Sequence, residues 1–238
     1  MRKKIVNALV VATLTLVAST ALAVPVNWTD WTAATVGNSG SATGSITIGS
    51  QTIGVSYTGQ VLGAQTNGGG VNYWNPATPY LSTNVPNAPG TTDIIQISGQ
   101  NTNQILNTIT FDAALLDPVM ALVSLGQPGT YNVFYRFDQD FNLLSSGSGF
   151  WGGDAAGSLF DQGLVGDDYV LRGLEGHGVV QFLGAVTSIS WTADPYEYWH
   201  GFTIGAVEAA PVPEPGTFLL LGAGLGGLAF WRRRTAKR

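Results

Sequence analysis

Polar and apolar residues alternate with a period of two along much of this chain. Ile46 and Ile48 fall on one side and Ser45 and Thr47 on the other. Beyond Gly49-Ser50-Gln51, Ile53, Val55 and Tyr57 alternate with Gly54, Ser56 and Thr58. Successive side chains of a strand point to opposite faces, so this stretch predicts a β-hairpin with one apolar face. Similar patterns predict strands at 93–98, 105–111, 130–137, 142–146, 169–174, 179–183, 186–192 and 201–207. Residues 118–125 are apolar enough for a central strand, with Pro118 at its entry, where the missing N–H is harmless. Trp191 alternates with Ile189 and Thr187 and is assigned to the core. About ten strands with frequent turns and no long helical period predict an all-β, antiparallel β-sandwich, with jelly-roll topology favoured.

Residues 63–92 break the pattern. They contain Gly68-Gly69-Gly70 and prolines 76, 79, 86 and 89, which predicts a long surface loop. Tyr73, Trp74 and Tyr80 lie inside it. Such aromatics either fold back onto the sheet or serve binding, and packing is the favoured reading.

Charge is unevenly placed. Between Val24 and Pro211 stand fourteen Asp and Glu against only Arg136 and Arg172, a formal charge of −12. That body repels nucleic acid and anionic lipid, so neither is expected as its partner. It attracts cations, calcium included. There is no cysteine, which excludes disulfides and thiolate chemistry. Stability must come from apolar packing.

The two ends carry the remaining basic residues. Arg2-Lys3-Lys4, the apolar run from Ile5 to Ser19, and the small residues Ala21 and Ala23 form a signal peptide over 1–23. Signal peptidase is expected to cut after Ala23, so that the mature chain starts at Val24. At the other end, a short linker at 208–211 leads into Val212-Pro213-Glu214-Pro215-Gly216-Thr217. Phe218 to Trp231 then forms an apolar run, closed by Arg232-Arg233-Arg234. The expected domain occupies 24–207. An apolar run abutting arginines is held in the membrane with its charges in the cytoplasm. This run is about 14 residues, or roughly 21 Å as a transmembrane helix, against a hydrocarbon core of about 30 Å.

Residues 212–238 resemble the PEP-CTERM sorting signal of Gram-negative bacteria: motif, short apolar run and basic tail in that order. The resemblance implies recognition and cleavage by exosortase, a membrane enzyme. It also implies transient anchoring in the inner membrane by the C-terminus, then release or transfer to the cell surface or extracellular matrix. A second resemblance covers Phe111 to Gly205. Residues 124–129, 175–182 and 197–203, with Trp191, resemble blocks of PEP-CTERM surface proteins and imply a β-rich exported domain with no established activity.

Catalytic chemistry has thin support. There is no Gly-x-Ser-x-Gly elbow, and only His177 and His200 could act as a base for a serine. Two histidines without cysteine or a His-Glu-x-x-His pattern disfavour zinc. Glycoside hydrolysis needs two carboxyl groups, and Glu175 and Glu197 are the candidates, near glycines and aromatics. Their structural alternatives are support of a glycine-rich turn by Glu175 and a hydrogen bond to a neighbouring loop by Glu197. Calcium could be held by Asp138, Asp140 and Asn142 across a hairpin turn, although Asp also favours turns by bonding backbone. Sugar binding needs flat aromatics with polar partners. Trp151 and Trp199 are the first candidates, then Trp74, with Asp154 near Trp151 to bond hydroxyls. The reading is a non-enzymatic surface or matrix protein that engages exopolysaccharide. The alternatives are a secreted glycoside hydrolase using Glu175 and Glu197, and a purely structural coat component.

Overall fold

The computed structural model describes residues 24–209, except 91, 103, 131, 155 and 156. The leader and the sorting tail, with Ala21, Ala23, Pro213, Glu214 and Pro215, lie outside the described residues.

The chain begins with β1 (Asn27–Trp28) and β2 (Asp30–Thr35), followed by a long hairpin of β3 (Gly37–Ile48) and β4 (Gln51–Val61). After β5 (Gly63–Gln65), a 3-10 turn at Thr78–Tyr80 interrupts the long loop. Next come β6 (Ile94–Ile97), β7 (Asn107–Leu116), β8 (Val119–Leu125), β9 (Val133–Phe137) and β10 (Phe141–Ser146). β11 (Leu159–Val165) and β12 (Asp168–Gly173) precede β13 (Gly176–Phe182), β14 (Ala185–Asp194), β15 (His200–Ala206) and β16 (Glu208–Ala209). Among the described residues no helix is long and apolar enough to cross a membrane.

Two antiparallel sheets result. One runs β10-β13-β8-β15-β6-β5, with β1 against β15; the other runs β11-β12-β9-β14-β7-β4-β3-β2, with β16 against β7. Within them, β6-β15-β8-β13 lies in one sheet and β7-β14-β9-β12 in the other. This is the interleaved order of a jelly roll, two Greek keys that share a core.

The inner faces meet in one apolar core. Phe202 of β15 packs edge-on against Tyr57 of β4 at 5.2 Å and Trp191 of β14 at 5.1 Å between ring centroids. Phe137 of β9 meets Phe182 of β13 at 5.0 Å. Trp191 is fully buried, as its alternation requires.

A second core explains why β8 and β15 are buried along their whole length. Trp74, Tyr80 and Val85 of the long loop pack with Val119, Ala121 and Val123 of β8 on the other face of that sheet. Both faces of β8 are therefore covered, and its unbroken apolar run follows. Trp74 lies in this layer, edge-on to Tyr80 at 5.3 Å, with its indole N–H donating to the Asp93 carbonyl at 3.3 Å. At 1% exposure it offers no face to a sugar, which corrects its place among the binding candidates.

Other boundaries shift. β5 takes the first three residues of the expected loop and pairs with β6. Glu208 and Ala209 are not linker but pair with Leu116 and Leu115 of β7. β2 and β11 arise in segments with no apolar alternation, because each buries little beyond one residue, Trp31 or Leu159.

Candidate ligand-binding pocket

The site begins with an irregularity. β8 and β13 pair Leu122 with Gly178 and Leu125 with Gly176, so Val123 and Ser124 together oppose His177. Such a bulge bends the strand and re-aims a side chain. Ser124 takes a φ of +60°, in the left-handed region that costs a non-glycine residue about 1 kcal/mol or more. Its hydroxyl donates to Glu175 Oε1 at 2.5 Å.

Glu175 occupies the turn between β12 and β13, also left-handed at +54°. Its N–H donates to the Gly126 carbonyl at 3.1 Å. Behind its carboxylate, His177 Nε2 lies 3.5 Å from Oε1, too far for a good hydrogen bond. The imidazole is fully buried, with Nδ1 facing the Tyr80 hydroxyl at 3.3 Å and the Ser124 N–H at 3.4 Å. Gly149 abuts this ring so closely that a Cβ there would overlap it.

Glu197 comes from the connection between β14 and β15. Its N–H donates to the Ser98 carbonyl at 2.8 Å. Its Oε1 accepts the Gly126 N–H at 2.9 Å and lies 2.5 Å from His200 Nδ1. Below this pair, the buried Tyr135 ring stands edge-on to His200 at 5.2 Å. Burial pushes the Tyr135 phenol well above its ordinary value, with Tyr57 and then Glu197 adding to the rise.

Both glutamates line one pocket of about 320 Å³, with Ser124 and Gln127 beside them. Its mouth is aromatic: Trp151, Tyr198 and Trp199 complete the lining. Trp151 and Tyr198 are 54% and 77% exposed, which leaves ring surface free for a ligand. Trp199 is half-buried and packs edge-on against Tyr73 of the long loop at 5.0 Å. Phe150 ties Tyr73 to Trp151, with centroids at 5.0 and 4.8 Å. The long loop thus buttresses the mouth from behind.

The arrangement departs from a serine-protease-like triad. Ser124 donates directly to a carboxylate, and the imidazole stands behind that carboxylate instead of between the two. Among the described residues, no group of three or more His, Cys, Asp and Glu is placed to hold a metal ion. Asp138 accepts the Ser190 N–H at 3.0 Å and Asp140 the Phe141 N–H at 2.9 Å, the backbone-bonding role of turn aspartates. Asn142 sits on β10, paired with Gln181. Asp154 is exposed and does not line the pocket.

The structure therefore gathers Glu175, Glu197, Trp151 and Trp199 and leaves Trp74, Asp154 and the calcium trio elsewhere. Sequence reasoning missed Ser124, Gln127 and Tyr198 as lining residues. The first two belong to the 124–129 block, yet nothing local reveals the bulge that turns Ser124 inward.

No curated protein and no solved structure matches the chain. Residues 211–234 match the family model for the PEP-CTERM protein-sorting motif, so the chain carries the sorting signal of exported, exosortase-processed proteins.

Proposed function

We propose that this exported protein is a glycan-binding component of the cell surface or extracellular matrix. The supporting observation is the pocket itself, where exposed Trp151 and Tyr198 and half-buried Trp199 stand over Glu175, Glu197, Ser124 and Gln127. Flat rings stack on sugar faces, while carboxylate, hydroxyl and amide groups bond sugar hydroxyls. The volume of about 320 Å³ lies near the lower end of the range for small-ligand sites, about 300–1,000 Å³, so the pocket suits a short stretch or the end of a chain. Processing by exosortase would release the domain where such polymers are found.

The test is a glycan array with the processed protein, with and without calcium. Uncharged glycans are expected to be retained over uronic or sulfated ones, since the body is strongly acidic. Trp151→Ala should abolish retention and leave the β-sheet circular dichroism unchanged. An array on which nothing is retained would move the reading to a coat component.

One observation favours a second reading, glycoside hydrolysis: two of the three glutamates among the described residues, Glu175 and Glu197, line the same pocket. Release of sugar from an oligosaccharide, lost in Glu175→Gln or Glu197→Gln, would establish the enzyme in place of the binding protein.

A further inference from the structure

The pocket holds more negative character than a neutral sugar requires. Each glutamate turns its Oε1 to donors of the protein: Ser124 for Glu175, and Gly126 with His200 for Glu197. Among the described residues, neither Oε2 accepts a hydrogen bond. Both side chains are nonetheless buried, at 11% and 3% exposure. Both carboxyl groups line the one cavity.

The basic groups beside the glutamates are imidazoles, His200 Nδ1 at 2.5 Å and His177 Nε2 at 3.5 Å, and both stand against Oε1 atoms; among the described residues no arginine or lysine reaches the pocket. The only arginines of the described residues are elsewhere: Arg136 pairs with Asp194 at 2.9 Å, and Arg172 lies over the Phe160 ring at 4.2 Å. The mouth adds to the same field. Trp151 and Trp199 stand nearly perpendicular, at 73° and 6.3 Å between centroids, and form two sides of an aromatic corner. Indole faces carry negative potential and attract cations, most strongly where water is excluded. Carboxylates at the floor and perpendicular indoles at the mouth are the two chemistries that select an ammonium group.

We propose that the pocket recognises an amino sugar through its free ammonium group, as in a de-N-acetylated amino polysaccharide. The inference rests on the glycan reading and sharpens it. A sugar ring stacks on Trp151, its hydroxyls reach Ser124 and Gln127, and its ammonium sits between the Oε2 atoms of Glu175 and Glu197. A lone ammonium compound would leave the hydroxyl partners and most of the volume unused.

The experiment is calorimetric titration of the full processed protein at neutral pH with three oligosaccharides of equal length: glucosamine, N-acetylglucosamine and glucose. Tetramethylammonium is a fourth probe. The glucosamine oligomer is expected to bind about tenfold more tightly than the others, or about 1.4 kcal/mol. That advantage should shrink as salt is added, a measurement on the unaltered protein that does not depend on any variant folding. Glu175→Gln should bring the three affinities within about twofold, while Trp151→Ala should weaken all three. Equal binding of the three oligosaccharides would overturn the ammonium inference and leave the glycan reading standing. Binding of tetramethylammonium alone, or of nothing, would overturn both.

Discussion

Glu175 and Glu197 are fastened to opposite sides of one residue: the Glu175 N–H donates to the Gly126 carbonyl at 3.1 Å, and the Glu197 carboxylate accepts the Gly126 N–H at 2.9 Å. The turn after β8 therefore sets where both carboxylates stand. The two are not equivalent, because only Glu197 bonds that turn through its side chain.

That asymmetry predicts unequal mutants. Glu197→Ala removes the acceptor of the buried Gly126 N–H and the partner of the fully buried His200. It should cost about 3 kcal/mol, since a buried group stripped of its partner bears its full desolvation penalty. Glu175→Ala should cost about 1 kcal/mol, because it gives up mainly the Ser124 bond at the pocket wall. Urea midpoints of the two variants measure the difference, and equal shifts would contradict it.

Trp191 fixes the main core. It contacts Tyr57, Tyr135, Phe137 and Phe202 within 6.1 Å between centroids. Trp191→Ala should destabilise the domain by about 3–5 kcal/mol, through lost burial and the cavity left behind. A change under about 1 kcal/mol in chemical unfolding would show that the neighbours collapse into the space.

Three fully buried phenols make the fold sensitive to alkali. Burial pushes Tyr57, Tyr80 and Tyr135 above the ordinary tyrosine value of 10.0. The folded chain then keeps protons that the unfolded chain gives up, so stability is intact below about pH 10 and falls as pH rises through that value. Tyrosinate absorbance for these residues should appear together with loss of sheet circular dichroism. Full tyrosine ionisation with the sheet signal retained would refute the linkage.

The sorting motif predicts a processing defect. Replacing Pro213, Glu214 and Pro215 with alanine should trap a membrane-bound, unprocessed form, detectable by fractionation and mass spectrometry. The exported form of the unaltered chain should begin at Val24. Normal release of the triple variant would show that exosortase does not read these residues.

Local alternation made the central strands and the 46–58 hairpin legible, because an inward face repeats every second residue and needs no knowledge of the partner. It could not show β2 or β11. Their burial rests on one residue each, Trp31 and Leu159, too little to mark a period. The composition of 63–92 identified a loop, and the loop indeed folds back, with Trp74 and Tyr80 on the outer face of β8. Which of its aromatics would be buried was decided by the sheet beneath, a surface absent from the loop's own sequence.

The sequence by itself determined the two-sheet class, the acidic body without cysteine, and the C-terminal sorting motif, since each is written in contiguous residues or in composition. It also singled out both glutamates and the tryptophans of the pocket, as separate candidates. Only the tertiary structure joined them. Pairing of β13 with β8 and of β8 with β15 brings the connections at 174–175 and 195–199 to the same end of one sheet, beside the turn at Gly126. Strand order and a bulge at Ser124 are long-range products of packing, and they turned scattered polar and aromatic residues into one pocket.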